Sequence, residues 1–166
     1  MGNYLTIAEY NELMQQVLDS YGSELVFARQ IGQTLEDRAM MSYSIMLGAK
    51  ESTWRDELKI RNSAMIDGVH HAREMTTVSQ SVFSMLHLLH SYERGDQTTI
   101  DLLESSVVVY VPIVNVDGVA QIDEWYQSSG NLYSVRKNRR STGRCAAVDQ
   151  GVDLNRNYSF RFNYDD

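Results

Sequence analysis

Ile7, Tyr10, Leu13, Met14, Val17, Leu18 and Tyr21 recur at three- and four-residue intervals, which predicts an amphipathic helix over residues 6–20. Gly22 follows as its terminator. The spacing then shortens to two. Met41, Tyr43, Ile45 and Leu47 alternate with Met40, Ser42, Ser44 and Met46, the pattern of a strand over 39–47. Residues 25–33 read as a strand before it, and the short link at 34–38 predicts an antiparallel hairpin. The polar stretch 50–59 reads as a loop or short helix.

Residues 62–69 carry a brief apolar centre, Ala64-Met65-Ile66, then Asp67-Gly68, and predict a short buried strand ending at a turn. Met75, Val78, Val82, Met85, Leu86, Leu89 and Tyr92 mark a long helix closed by Gly95. Residues 107–114 are continuously apolar and rich in β-branched side chains, as in a strand covered on both faces of a parallel sheet. Strand, helix and strand form one βαβ unit, so the fold class is α/β. Ligand sites in such sheets lie beyond the carboxyl ends of the strands. Here those ends are residues 70–74 and 115–118. From Asn115 onward the chain is polar and loop-rich, with glycines at 118, 130, 143 and 151. It reaches Asp166 without another clear core element, so residues 1–166 read as part of a larger domain.

Composition narrows the function classes. The chain has 166 residues, 43% apolar and 22% charged, enough for one domain with a real core. A formal charge of −7 argues against a nucleic-acid surface. No apolar run approaches the ~20 residues of a membrane span. The first ten residues lack the regions of a signal peptide, and an extracellular or lumenal parent protein is still compatible. The single Cys145 is either a bystander or half of a bridge whose partner lies elsewhere. Met1-Gly2 with Thr6 fits a loose myristoylation pattern. A Thr6-x-x-Glu9 capping box explains more of the same residues.

Three local features carry candidate chemistry. In His71-Ala72-Arg73-Glu74 an imidazole and a carboxylate three residues apart can aim at one point, and both are good Zn²⁺ ligands. The competing reading makes His71 part of the helix cap and Glu74 a partner of the helix dipole. His70 is a rival ligand, and reads better as a satisfied, partly buried histidine. In residues 151–158, Asn155 and Arg156 can form a fork for a carboxylate. Asp153 there can accept from the far nitrogen of a metal-bound histidine. The alternative is an Asx-rich turn with a solvated arginine. Arg136, within Val135-Arg136-Lys137-Asn138-Arg139, can stabilise an oxyanion or belong to a solvated face.

These features, together with Asn115-Val116-Asp117-Gly118, stand in the order and spacing of one family. The sequence resembles the carboxypeptidase A-like zinc metallocarboxypeptidases over nearly its whole length, and matches the first half of their catalytic domain. The resemblance implies a three-layer fold with a mixed, mostly parallel sheet between helices. It implies one Zn²⁺, with His71 and Glu74 as the first two ligands and Asp153 as the partner of His71. Arg136 would polarise the scissile carbonyl and hold the oxyanion. Asn155 and Arg156 would bind the free C-terminal carboxylate of a peptide or protein substrate, and Arg73 would line a neighbouring subsite.

Departures from the family pattern also set expectations. The family's third zinc ligand, its general-base glutamate and its substrate-closing tyrosine lie beyond Asp166, so this chain is expected to be an inactive fragment. His87 and His90 sit on the long helix and do not match the missing ligand. Asp37 stands where the family commonly has glycine, and Cys145 loosely resembles a cysteine that pairs later in some relatives. A non-catalytic carboxylate-binding relative is the second reading. An amidohydrolase of acylated amino acids is the third. Without the rest of the sheet, the 62–69 strand is expected to become an uncovered, aggregation-prone edge.

Overall fold

The computed structural model describes residues 4–22, 24–141, 143 and 150–160. Helix α1 (Ile7–Tyr21) begins with the predicted capping box. The Thr6 hydroxyl accepts from the Glu9 N–H at 3.1 Å, and the Glu9 carboxylate accepts from the Thr6 N–H at 2.8 Å. Two otherwise orphaned donors are satisfied, worth about 1 kcal/mol. Met1 and Gly2, on which an acylation reading rests, lie outside the described residues, as does Cys145.

The hairpin is β1 (Val26–Gln33) paired antiparallel with β2 (Ala39–Ile45). Its register slips between Gln30 and Gly32, leaving Ile31 bulged and half-exposed. Asp37 adopts φ 61°, a left-handed conformation that aspartate tolerates better than most residues. The polar stretch after the hairpin contains a short helix, α2 (Trp54–Ile60). Then come β3 (Asn62–Asp67), α3 (Thr76–Glu93), α4 (Gln97–Ser105), β4 (Ser106–Val111) and α5 (Val116–Ser129).

The four strands form one mixed sheet in the order β1-β2-β4-β3. β3 runs parallel to β4, with Ala64 opposite Val108, so the predicted βαβ unit is present. β2 and β4 are antiparallel, with Tyr43 opposite Tyr110. β4 is covered on both faces, as its continuous apolar run predicts. Val108 and Tyr110 join the main core with Tyr10 and Met14 of α1, Val82 and Met85 of α3, and Val119 and Ile122 of α5. Val107 faces the other way, into a smaller cluster with Phe27, Met46, Ala49 and Trp54. Phe27 and Trp54 stack there at 5.8 Å. The result is a three-layer α/β fold.

Two expectations are corrected. β3 is not buried: it lies at the sheet edge, and Met65 at its apolar centre is 67% exposed. A run of apolar residues shows that a strand can be covered, not that a neighbouring element is present to cover it. Its outer backbone groups are a template for another strand, the liability expected of an uncovered edge. The region after Asn115 is not uniformly loop-like, since α5 occupies 14 residues of it. α5 buries Val116, Val119, Ala120 and Ile122, but also Asp117 and Asp123. Those two carboxylates interrupt the apolar period. α4 has only Thr99 and Leu103 buried and offers still less periodicity.

Candidate active site

Beyond β3 the chain must turn sharply to enter α3. A Cβ at Gly68 would lie 2.8 Å from the Pro112 carbonyl oxygen, so glycine lets the two strand ends approach. Val69 then takes φ 55°, a conformation that a β-branched residue rarely adopts. Its N–H donates to Thr77 Oγ1 at 2.9 Å, and its carbonyl accepts from the Asn115 N–H at 3.0 Å. Strain on the order of 1–3 kcal/mol is thus held by the surrounding structure. It brings the tandem histidines out at the carboxyl end of the sheet.

The next turn is tied to a distant segment. The N–H groups of Ala72 and Arg73 donate to the carbonyls of Arg136 (3.4 Å) and Val135 (2.6 Å). Asn115, at the start of α5, donates from Nδ2 to the His70 carbonyl at 3.2 Å and accepts from the Gly118 N–H at 3.1 Å. A Cβ at Gly118 would sit 2.7 Å from that of Ala72, so this glycine allows α5 to pack against the histidine turn. Sequence alone gives residues 115–118 no individual role. An asparagine three residues before a glycine at a helix start is the signal that could have suggested one.

His71 is buried and held at both ring nitrogens. Nδ1 lies 3.0 Å from Glu74 Oε1, and Nε2 lies 3.0 Å from Asp153 Oδ1. The other oxygen of Asp153 accepts from Arg136 Nε at 2.8 Å. Oδ1 also accepts from the Asn155 N–H at 3.0 Å, which starts the 3₁₀ turn Leu154–Arg156. One carboxylate therefore joins the imidazole, the guanidinium and the turn that carries Asn155 and Arg156. Burial pushes the Asp153 carboxyl up, but hydrogen bonds and charge from Arg136 and His71 outweigh it and hold the group below the usual aspartate range.

Folding thus lowers the affinity of Asp153 for a proton, so the folded chain binds fewer protons than the unfolded one. The stability this group contributes is fully present above the ordinary aspartate value and is lost as pH falls through the lower folded-state value. In a ¹³C-detected acid titration, the Asp153 carboxyl should change at a lower pH than an aspartate in a short peptide. A midpoint at or above the peptide's would contradict the network.

The remaining predicted residues are placed as follows. Arg73 and Glu74 are exposed and border a cavity of about 420 Å³, with Tyr4, Met75, Ile122 and Tyr133 among its other walls. Asn155 and Arg156 are exposed, and Arg156 Nη1 donates to the Asn155 carbonyl at 3.1 Å. His70 is partly buried and satisfied by Tyr158, whose hydroxyl lies 2.5 Å from its Nε2. His87 stacks on Phe83, and the exposed His90 lies 3.8 Å from Glu93, both away from the histidine turn along α3. Asn138 joins the two loop motifs: its N–H donates to the Val152 carbonyl, and its side chain accepts from the Val152 N–H at 2.8 Å.

A family model described as zinc carboxypeptidase matches residues 10–165. The chain belongs to the zinc carboxypeptidase family. Among curated relatives, it is similar to the inactive metallocarboxypeptidase ecm14 of Schizosaccharomyces pombe, at 25% identity over 163 residues. That match covers 97% of this chain and 30% of the relative. A protein of the same description from Sclerotinia sclerotiorum is 29% identical over 147 residues, covering 89% of this chain and 23% of the relative. This carboxypeptidase-family chain thus spans less than a third of the length of these relatives. Among solved structures, thrombin activatable fibrinolysis inhibitor aligns with TM-score 0.72 and 23% identity, over 94% of this chain and 34% of that one. Carboxypeptidase A from Helicoverpa armigera aligns with TM-score 0.68 and 22% identity, over 93% of this chain and 34% of that one. Both carry the same fold.

Family membership implies zinc, and the residues present fit part of a zinc site. Two donors on one tetrahedral zinc ion lie about 3.3 Å apart. His71 Nδ1 and Glu74 Oε1, 3.0 Å apart, match that spacing. Asp153 occupies the opposite ring nitrogen, where it can orient the imidazole. Among the described residues, no group of three or more His, Cys, Asp and Glu side chains is arranged to hold a metal.

Proposed function

We propose that residues 1–166 are the ligand-bearing first part of a zinc metallocarboxypeptidase catalytic domain, whose complete form removes C-terminal amino acids from peptides. The carrying observation is His71 held at 3.0 Å from both Glu74 and Asp153, with Arg136 on the same carboxylate. In this reading His71 Nε2–H donates to Asp153, which leaves the Nδ1 lone pair and the Glu74 carboxylate for the metal. When bound, zinc supplies Lewis acidity and a water of lowered pKa.

The chain's own residues then divide the substrate between them. Asn155 and Arg156 receive the terminal carboxylate, which limits cleavage to a free C-terminus. Arg136, oriented through Nε by Asp153, turns its guanidinium toward the scissile carbonyl and the charge that develops on its oxygen. Arg73 lines the cavity next to Glu74 and contacts residues preceding the scissile bond. The third ligand and the general base are supplied by a further segment of the parent domain.

The isolated chain is expected to bind Zn²⁺ weakly and to leave C-terminally free peptides intact. Competition against a chromogenic chelator measures the first, with His71→Ala and Glu74→Ala removing whatever binding there is. Measurable hydrolysis by the purified 166-residue chain would overturn the second. A non-catalytic carboxylate-binding relative is supported by the description of the two curated relatives as inactive. Assaying the parent protein, with its downstream coding sequence included, separates the readings: zinc-dependent release of a C-terminal residue favours the peptidase, and peptide binding without release favours the other.

A further inference from the structure

His70 neighbours the candidate ligand His71, yet its own partner lies 88 residues away, just past the carboxylate fork. Tyr158 is 56% exposed, and an exposed tyrosine ordinarily needs no partner. Here its hydroxyl lies 2.5 Å from His70 Nε2, and the two rings contact at 5.7 Å between centroids. His70 is itself anchored, its carbonyl accepting from Asn115 Nδ2 at 3.2 Å. At the other end of the same segment, Asp153 is bonded to His71. The exposed turn with Asn155 and Arg156 is therefore tied down on both sides by adjacent histidines.

We propose that His70 and Tyr158 are positioning residues that, with His71 and Asp153, clamp the 153–158 segment so that Asn155 and Arg156 are held ready for a peptide carboxylate. The inference rests on the assignment of those two residues as the carboxylate fork. A loop hydrogen-bonded at one end only would spread its arginine over many rotamers, and binding would bear the entropy of ordering it. With the second tie in place, much of that ordering is already complete. His70 and Tyr158 need not touch the ligand.

The test uses the full 166-residue chain, with benzoyl-glycyl-phenylalanine and its C-terminal amide as probes, titrated by NMR. The wild type should bind the free acid more tightly than the amide. Tyr158→Phe, which removes only a hydroxyl at an exposed position, should weaken the acid by about three- to tenfold, the range of one hydrogen bond's net worth, and leave the amide unchanged. Backbone ¹⁵N relaxation should show residues 154–156 more mobile in Tyr158→Phe and His70→Ala, and restored in His70→Gln. Unchanged mobility in both variants would overturn the clamp, whatever the peptide data show. No acid preference in the wild type, with mobility raised in the variants, would instead remove the fork assignment and leave the clamp standing.

Discussion

Asp153→Ala should cost the folded chain about 2 kcal/mol, the range for losing hydrogen bonds to charged groups, and should free the 154–156 turn. The carboxylate accepts from three donors on separate segments or turns: His71, Arg136 Nε and the Asn155 N–H. Without it, the Arg136 guanidinium, 32% exposed, must be resolvated, and the imidazole of His71 loses the partner that selects its tautomer. Asp153→Asn retains an acceptor for His71 and Asn155 but no charge for Arg136, and should cost roughly half as much. Thermal unfolding measures the total, and amide exchange at Asn155 measures the turn. In the complete domain, Asp153→Ala should lower zinc affinity about 10- to 100-fold. An alanine variant with unchanged stability and protection would mean that the three donors are held by other contacts.

The larger stability effect is expected at Asp117, away from the chemistry. Its side chain is 5% exposed and accepts from Thr34 Oγ1 at 2.7 Å, Arg38 Nη1 at 2.9 Å and the Glu36 N–H at 3.3 Å. α5 thereby holds the tip of the hairpin through one buried carboxylate. Glu36 in turn pairs with Arg38 and Arg139, which ties the hairpin to the basic loop after Arg136. Asp117→Ala leaves these donors facing a void, and should cost about 3 kcal/mol. That corresponds to a Tm lowered by about 6–12 °C for a chain of this size. A shift below about 2 °C would show that the hairpin tip is held by other contacts.

Elements with a regular apolar period were legible in the sequence. α1 and α3 place apolar side chains at the helical interval, β4 is apolar along its run, and β2 alternates in residue type although both of its faces are buried near its end; each lies within a few residues of its expected place. The capping box at Thr6 was readable because both of its bonds are made within four residues. α5 was not, because Asp117 and Asp123 occupy positions on its inward face where periodicity calls for apolar residues. Their partners, Arg38 and the Ile7 N–H, lie 79 and 116 residues away, and only the fold brings them near. The exposure of β3 was hidden for a related reason: Met65 is apolar in the sequence whether or not anything covers it.

The sequence by itself determined the residues available for chemistry and the order of the elements that carry them, because both follow from spacing along one chain. It placed His71 and Glu74 on one turn, Asp153, Asn155 and Arg156 in one loop, and each group at a strand end or beyond. Only the tertiary structure decided that these pieces meet. His71 and Asp153 are 82 residues apart, and His70 and Tyr158 are 88 apart. Contacts of that separation leave no periodic trace, since each end is an ordinary polar residue until the fold brings the two together.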